Sequence, residues 1–154
     1  MANTYSQVYL QFVFAVKGRQ SIIPNNCNDE LQKYITGIVQ NRNQKMLAIN
    51  NVPDHLHMLI GFGTTMAISD LMEEVKAISS KFINEKKWIK GKFEWQRGYG
   101  VFSYSRSQID NVIRYILNQQ EHHKKRTFKE EYLDLLKEFE IDFDEKYLFD
   151  WITK

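Results

Sequence analysis

Hydrophobic and polar residues alternate along this chain with two different periods, and the order in which the periods change predicts an architecture. Residues 5–16 alternate at every second position, which places Val8, Leu10, Phe12, Phe14 and Val16 on one face of a strand. Asn28 or Asp29 then opens a helix running to about residue 44, with Leu31, Tyr34, Ile35, Ile38 and Val39 at helical spacing. The period of two returns in residues 46–52 and 55–62, joined around Pro53, which has no N–H to give a ladder and so marks the turn. From Ile68 a second helix carries Ile68, Leu71, Met72, Val75, Ile78 and Phe82 as its apolar stripe. Residues 93–104 are predicted as a fourth strand, and a third helix starts after Ser107, which forms a capping box with Asp110. The predicted fold class is therefore α+β, a ferredoxin-like or RRM-like βαββαβ antiparallel sheet with an additional C-terminal helix. In that plan the first and third strands are central, and the first two helices cover only one face.

Composition narrows the picture. A chain of 154 residues, 43% hydrophobic and 14% aromatic, suits one globular domain. Cys27 is the only cysteine, which excludes an internal disulfide framework, and no apolar run has the length of a membrane span. We read a protein of the cytoplasm. The net charge of +2 hides an asymmetry: residues 1–126 hold 17 Lys and Arg against 10 Asp and Glu, whereas residues 127–154 hold 4 against 9. The basic part, dense in Lys between residues 76 and 92, suits a phosphate backbone, and it equally suits a solvated helix end. The acidic tail, 127–154, is taken as part of the same domain.

Candidate chemistry concentrates in two places. His55 and His57 alternate with Leu56 and Met58, so both imidazoles stand on one strand face, opposite the apolar one. Two imidazoles are half of a metal site, or an unliganded surface pair. On the third helix Tyr115 and Gln119 are four apart and share a face. A phenol can attack phosphorus and a glutamine carbonyl can complete a metal site, while the bland alternative is an interfacial aromatic beside a surface amide. On the second helix Lys76, Ser80, Lys81, Asn84 and Lys87 are candidates to touch DNA, joined by Arg19 after the first strand and by His122 one turn beyond Gln119. Gly98 and Gly100 leave a patch without side chains where a helix or a nucleotide could approach, and Tyr99 competes with Tyr115 as nucleophile.

These motifs, in this order, resemble the single-tyrosine HUH transposases of small insertion sequences and the related REP-associated tyrosine transposases. The resemblance rests on Pro53-Asp-His-Leu-His57, the opening Phe12-Val-Phe-Ala-Val-Lys-Gly-Arg19, Lys76-x-x-Ser-Ser-Lys81, Trp95-x-x-Gly-Tyr-Gly-Val-Phe-Ser103 and Tyr115-Ile-Leu-Asn-Gln-Gln-Glu-His-His123 leading into Thr127-Phe-Lys-Glu-Glu131. It implies a metal-dependent enzyme that cleaves and rejoins single-stranded DNA at hairpin-bearing element ends through a 5′-phosphotyrosine. Tyr115 would be the nucleophile, His55, His57 and Gln119 the ligands of Mg²⁺ or Mn²⁺, and the additional helix the catalytic one. It also implies a homodimer with shared active sites, which the short connection before the third helix suits, and no nucleotide cofactor. Three other readings are open: a non-catalytic nucleic-acid-binding module, a metallohydrolase using the histidine pair, and a domesticated relative that processes chromosomal repeats.

Overall fold

The computed structural model describes residues 3–18 and 21–151. Four strands, β1 (Tyr9–Ala15), β2 (Lys45–Val52), β3 (His55–Gly61) and β4 (Gly100–Tyr104), form one antiparallel sheet in the order β2-β3-β1-β4. Helices α1 (Asn28–Gln40) and α2 (Ile68–Lys86) cover one face. Three further helices, α3 (Ile109–Leu117), α4 (Gln119–Lys125) and α5 (Phe128–Glu138), lie against the other. Among the described residues no helix is long and apolar enough to cross a membrane.

The first face is built as the period of two dictates. Leu10, Phe12, Phe14 and Val16 from β1 and its extension meet Leu56, Met58 and Ile60 from β3, and all are buried under Leu31, Ile35, Leu71, Met72 and Val75. Removing a fully buried Phe or Leu side chain from water is worth about 1.5–3 kcal/mol, so this layer supplies much of the driving force for folding.

Several boundaries differ from the sequence expectation, each for a local reason. β1 begins at Tyr9, not Tyr5, whose side chain is exposed. α1 stops at Gln40 because Asn43 adopts a left-handed conformation (φ 61°) that ends helical geometry before β2. The fourth strand is only its second half. Lys76 Nζ draws the carbonyls of Gln96 (2.8 Å) and Gly98 toward α2, Gly98 turns with φ 84°, and upstream a single bridge, Val16 to Trp95, remains. The capping box forms two residues earlier than expected, between Ser105 and Gln108, in a short 3-10 turn that leads into α3.

The largest departure concerns the second face. The face that α1 and α2 leave free is covered by α3 through Ile109, Val112 and Ile116, set against Ala48 and Leu59, and by α5 through Phe128, Tyr132, Leu135 and Leu136, set against Val13, Ala15 and Phe102. Gly100 makes the second contact possible: a Cβ there would lie 2.7 Å from the Tyr132 hydroxyl. The bare patch anticipated at Gly98 and Gly100 thus receives a helix at Gly100.

Candidate active site and metal centre

Where β1 and β3 run side by side, Val13 pairs with His57 and Ala15 with His55, so the histidines and Gln11 share the face that α3–α5 cover. Both imidazoles are almost fully buried (1% and 0% exposed), 5.2 Å apart between ring centroids. Each is oriented through Nδ1. His55 Nδ1 lies 2.7 Å from Asp54 Oδ1, and His57 Nδ1 lies 2.7 Å from Gln11 Oε1, whose amide nitrogen donates to Tyr104 Oη at 2.7 Å. Because the oxygens beside Nδ1 accept, Nδ1 carries the proton in both rings and Nε2 turns its lone pair inward.

At the centre the lone pairs find no donor. Glu131 Oε1, from α5, sits 3.2 Å from Nε2 of both His55 and His57, and Gln119 Oε1 lies 3.3 Å from His55 Nε2. Four acceptor atoms facing one another need a cation between them, and His55, His57 and Glu131 are placed to hold a metal ion. Two imidazole nitrogens with carboxylate and amide oxygens are a donor set that divalent first-row ions accept. Without an ion, a proton on His55 fills the role. Burial opposes that charge, but hydrogen bonds to Asp54 and Glu131 outweigh it and raise His55 to about 9. Burial likewise pushes Glu131 up, yet the two histidines hold its carboxyl well below the usual carboxylate range. His57 is lowered, chiefly by burial.

Tyr115 completes the cluster. Its hydroxyl donates to Glu131 Oε2, which also accepts from Gln119 Nε2 at 3.0 Å, and its ring meets His57 edge-on at 5.9 Å. Burial and then the Glu131 charge push the phenol well above its ordinary range. His122 stacks on the tyrosine ring at 4.8 Å, and its buried Nε2 finds no hydrogen-bond partner among the described residues.

Tyr115 and Gln119 reach this centre by a route that helical spacing alone does not give. They do not share one helix: the chain breaks at Asn118 (φ −97°, ψ 20°), so Tyr115 lies in the last turn of α3 and Gln119 starts α4. Asn50 of β2 holds the break, its amide nitrogen donating to the carbonyls of Ile116 (3.0 Å) and Leu117 (3.1 Å) and to Gln120 Oε1 (2.8 Å). The turn buries Gln119 against His55. Nor does the short connection after β4 send α3 outward. Ile109, Val112 and Ile116 dock on the chain's own sheet, and one chain brings Tyr115, Gln119, His55 and His57 together by itself.

Glu131, Asp54 and Gln11 were assigned no chemical role from the sequence, although Asp54 and Glu131 stand in motifs that carry the resemblance. Glu131 carried a signal nonetheless, a carboxylate lying on the apolar stripe of α5 between Phe128 and Leu135. Gln11 carried a fainter one, as an amide in a run of buried strand residues. The proposed DNA contacts of α2 lie across the sheet from this centre. Lys76, Ser80, Lys81 and Asn84 line one open groove with Lys92 and Arg97. Within it Asn84 is engaged on both sides of Phe93 (2.7 and 3.1 Å), and Lys76 is half-buried and pushed down to about 8 by burial. Both act first as structural pins, while Lys81 and Lys87 are exposed. Tyr99 packs against Phe12 on the far face, away from the histidines. Arg19 lies outside the described residues.

The family model described as transposase, IS200 like, matches residues 4–119. The transposase TnpA of ISDra2 from Deinococcus radiodurans is 22% identical over 120 residues, covering 73% of this chain and 84% of that protein. Among solved structures, a protein of Deinococcus radiodurans R1 assigned as a transposase superposes with a TM-score of 0.61 at 21% identity, over 77% of this chain and 95% of that one. A REP-associated tyrosine transposase bound to a REP hairpin gives 0.59 at 17% identity, over 80% and 73%. With three quarters of its length matched in sequence and its fold matched in structure, the chain belongs to the family of IS200-like transposases.

Proposed function

We propose that this protein cleaves and rejoins single-stranded DNA at hairpin-bearing ends, with Tyr115 as the nucleophile. The observation that carries the reading is the convergence of the Tyr115 hydroxyl, Gln119, Glu131 and two inward-facing imidazoles on one buried centre. His55, His57, Gln119 and Glu131 would hold Mg²⁺ or Mn²⁺. A divalent ion in that place supplies charge to the phosphate oxygens as the phosphorus is attacked.

The chain's own residues do the rest. Tyr115 Oη bonds to phosphorus while the bond to the 3′ oxygen breaks, leaving a 5′-phosphotyrosine and a free 3′ hydroxyl. The phenol gives up its proton toward Glu131 Oε2, which it already touches, and the departing 3′ oxygen takes one up from solvent. Asp54 and Gln11 keep both rings in the tautomer that points Nε2 at the centre. Since the covalent bond preserves the phosphodiester, rejoining is the reverse attack by a 3′ hydroxyl and needs no nucleotide cofactor. Hairpin recognition is supported by the structural neighbour that carries a REP hairpin, and exposed cations such as Lys81 and Lys87 would take the phosphate backbone.

Denaturing electrophoresis with labelled single-stranded DNA, with and without Mn²⁺, tests the reading. The wild type forms a covalent adduct, and Tyr115→Phe forms none while still binding the hairpin. An adduct that persists in Tyr115→Phe assigns the nucleophile elsewhere. Metal-independent binding with no adduct in the wild type favours the non-catalytic module, and repeated turnover without an adduct favours a metallohydrolase.

A second question is assembly: the short Arg106–Gln108 connection before α3 would suit a homodimer whose subunits exchange the Tyr115 helix, whereas the packing of α3 supports the alternative. We infer sites completed within one chain, because α3 already packs on its own sheet. In a mixed dimer of Tyr115→Phe and His57→Ala chains, restored cleavage requires exchange, and cleavage no better than that of either mutant requires the single-chain site.

A further inference from the structure

Beside Tyr115, α3 and α5 part next to Tyr104 of β4 to leave a pocket of about 260 Å³. We propose that this pocket seats the base of one nucleotide, the one whose 5′ phosphate becomes bonded to Tyr115, and that it selects a base bearing an amino group. The proposal rests on the transesterification proposed above and adds to it a specificity site.

Three observations carry it. The first is size and place: Tyr115 forms part of the wall, and a volume below the range of drug-sized sites admits one base and its sugar but no duplex. The second is a cation at the tyrosine. The Arg126 guanidinium lies beside the Tyr115 hydroxyl, on the extended residue between α4 and α5, and is tethered by Asp134. A guanidinium has five N–H donors, so the tether leaves donors for a phosphate oxygen at the position where the tyrosine would attack. The third is the rim. Asp134 and Glu138, one turn apart on α5, are carboxylates that only accept, whereas Val112 and Leu135 give the base faces an apolar wall. Carboxylates accept from the exocyclic amines of cytosine and adenine, and from the amino and ring N–H groups of guanine, but they face the two carbonyl oxygens of thymine unfavourably.

None of these groups belongs to the metal cluster, and Arg126, Asp134 and Glu138 lie beyond the residues matched by the family model. The selectivity therefore belongs to the C-terminal part of this chain.

The test uses oligonucleotides that differ only in the base 3′ to the scissile phosphate. The wild type is expected to give at least tenfold more adduct with guanine, cytosine or adenine than with thymine. The pair Asp134→Asn and Glu138→Gln compresses that ratio toward one, and Arg126→Gln lowers the yield with every base alike. Asn111 is exposed on α3 and lines the pocket, so Asn111→Trp fills it without disturbing the core. That variant is expected to lose adduct while binding the hairpin as before. Equal cleavage of all four substrates by the wild type, or undiminished cleavage by Asn111→Trp, overturns the proposal. Binding is read separately, by NMR titration with 5′-dGMP, 5′-dCMP and 5′-dTMP. Shifts at Asn111, Val112 and Asp134 with dGMP or dCMP, weaker with dTMP and lost in Asn111→Trp, support the pocket even if no adduct forms, in which case the cleavage reading alone fails. Shifts of equal size for all three nucleotides, or none, sink the pocket whatever the cleavage assay gives.

Discussion

The two faces of the one sheet are held by opposite means. Under α1 and α2 the strands present Leu10, Phe12, Phe14, Leu56, Met58 and Ile60, and nothing there needs a partner of particular chemistry. Under α3, α4 and α5 the same two strands present Gln11, His55 and His57, and these are tolerated in the interior only because Asp54, Gln119, Glu131 and Tyr104 meet them atom for atom. One layer tolerates exchange of one apolar side chain for another of like volume. The other is a closed set, in which each polar group answers for its neighbour. The second face also packs apolar side chains, Val13, Ala15 and Leu59 among them, but the chemistry is lodged there alone.

That contrast can be attacked from either side. The largest expected effect is on the apolar layer: Phe14→Ala should destabilise the fold by about 3–5 kcal/mol in urea titration, while adduct yield per folded molecule stays the same. A variant whose folded fraction loses cleavage in proportion to stability would show that the layers are not separable. Next comes the cation. Mn²⁺ at a hundred times its dissociation constant should raise the unfolding free energy of the wild type by about 2.7 kcal/mol, a response that His57→Ala and Glu131→Gln should both lack. An unchanged response in Glu131→Gln would remove the carboxylate from the ligand set. Asn50→Ala should cost about 1–3 kcal/mol, since it strips the carbonyls of Ile116 and Leu117 of their donor. It should also lower adduct formation in folded protein, because those carbonyls set where Tyr115 and Gln119 stand.

The smallest expected effect is the pH dependence of the chelator-treated protein. His55 is raised from 6.5 to about 9, so its contribution to stability is fully present below about pH 6.5 and fades as pH rises through about 9. Asp54 and Glu131 are lowered, so theirs is present above the ordinary carboxylate range and fades on acidification. Melting temperatures between pH 6 and pH 10 should therefore decline in the wild type and be flatter in His55→Ala.

The same contrast explains what could be read from the chain. Periodicity is a record of apolar contact, so β1, α1, β2, β3 and α2, which build the apolar layer, are legible in their apolar stripes and their order. His55 and His57 were legible because they sit on that same alternating strand. The break at Asn118 was not, because the donor that stabilises it, Asn50, lies 66 residues before Ile116. Glu131 was hidden in a segment whose nine acidic residues read only as an acidic tail of the domain. What marks it, a charge on an apolar stripe, becomes meaningful only once α5 is known to lie on the sheet.

Gly100 turns that last contact into a gauge. With the Tyr132 ring set where a methyl group would go, the spacing between sheet and C-terminal helix is fixed to within the width of one hydrogen-bearing carbon. An alanine at this position would act as a wedge, lifting Tyr132 and with it Glu131, one residue earlier on the same helix turn. The smallest possible side chain on β4 would then unseat a carboxylate that belongs to another element, and protease cleavage within residues 128–138 would report how far the helix had been pushed off.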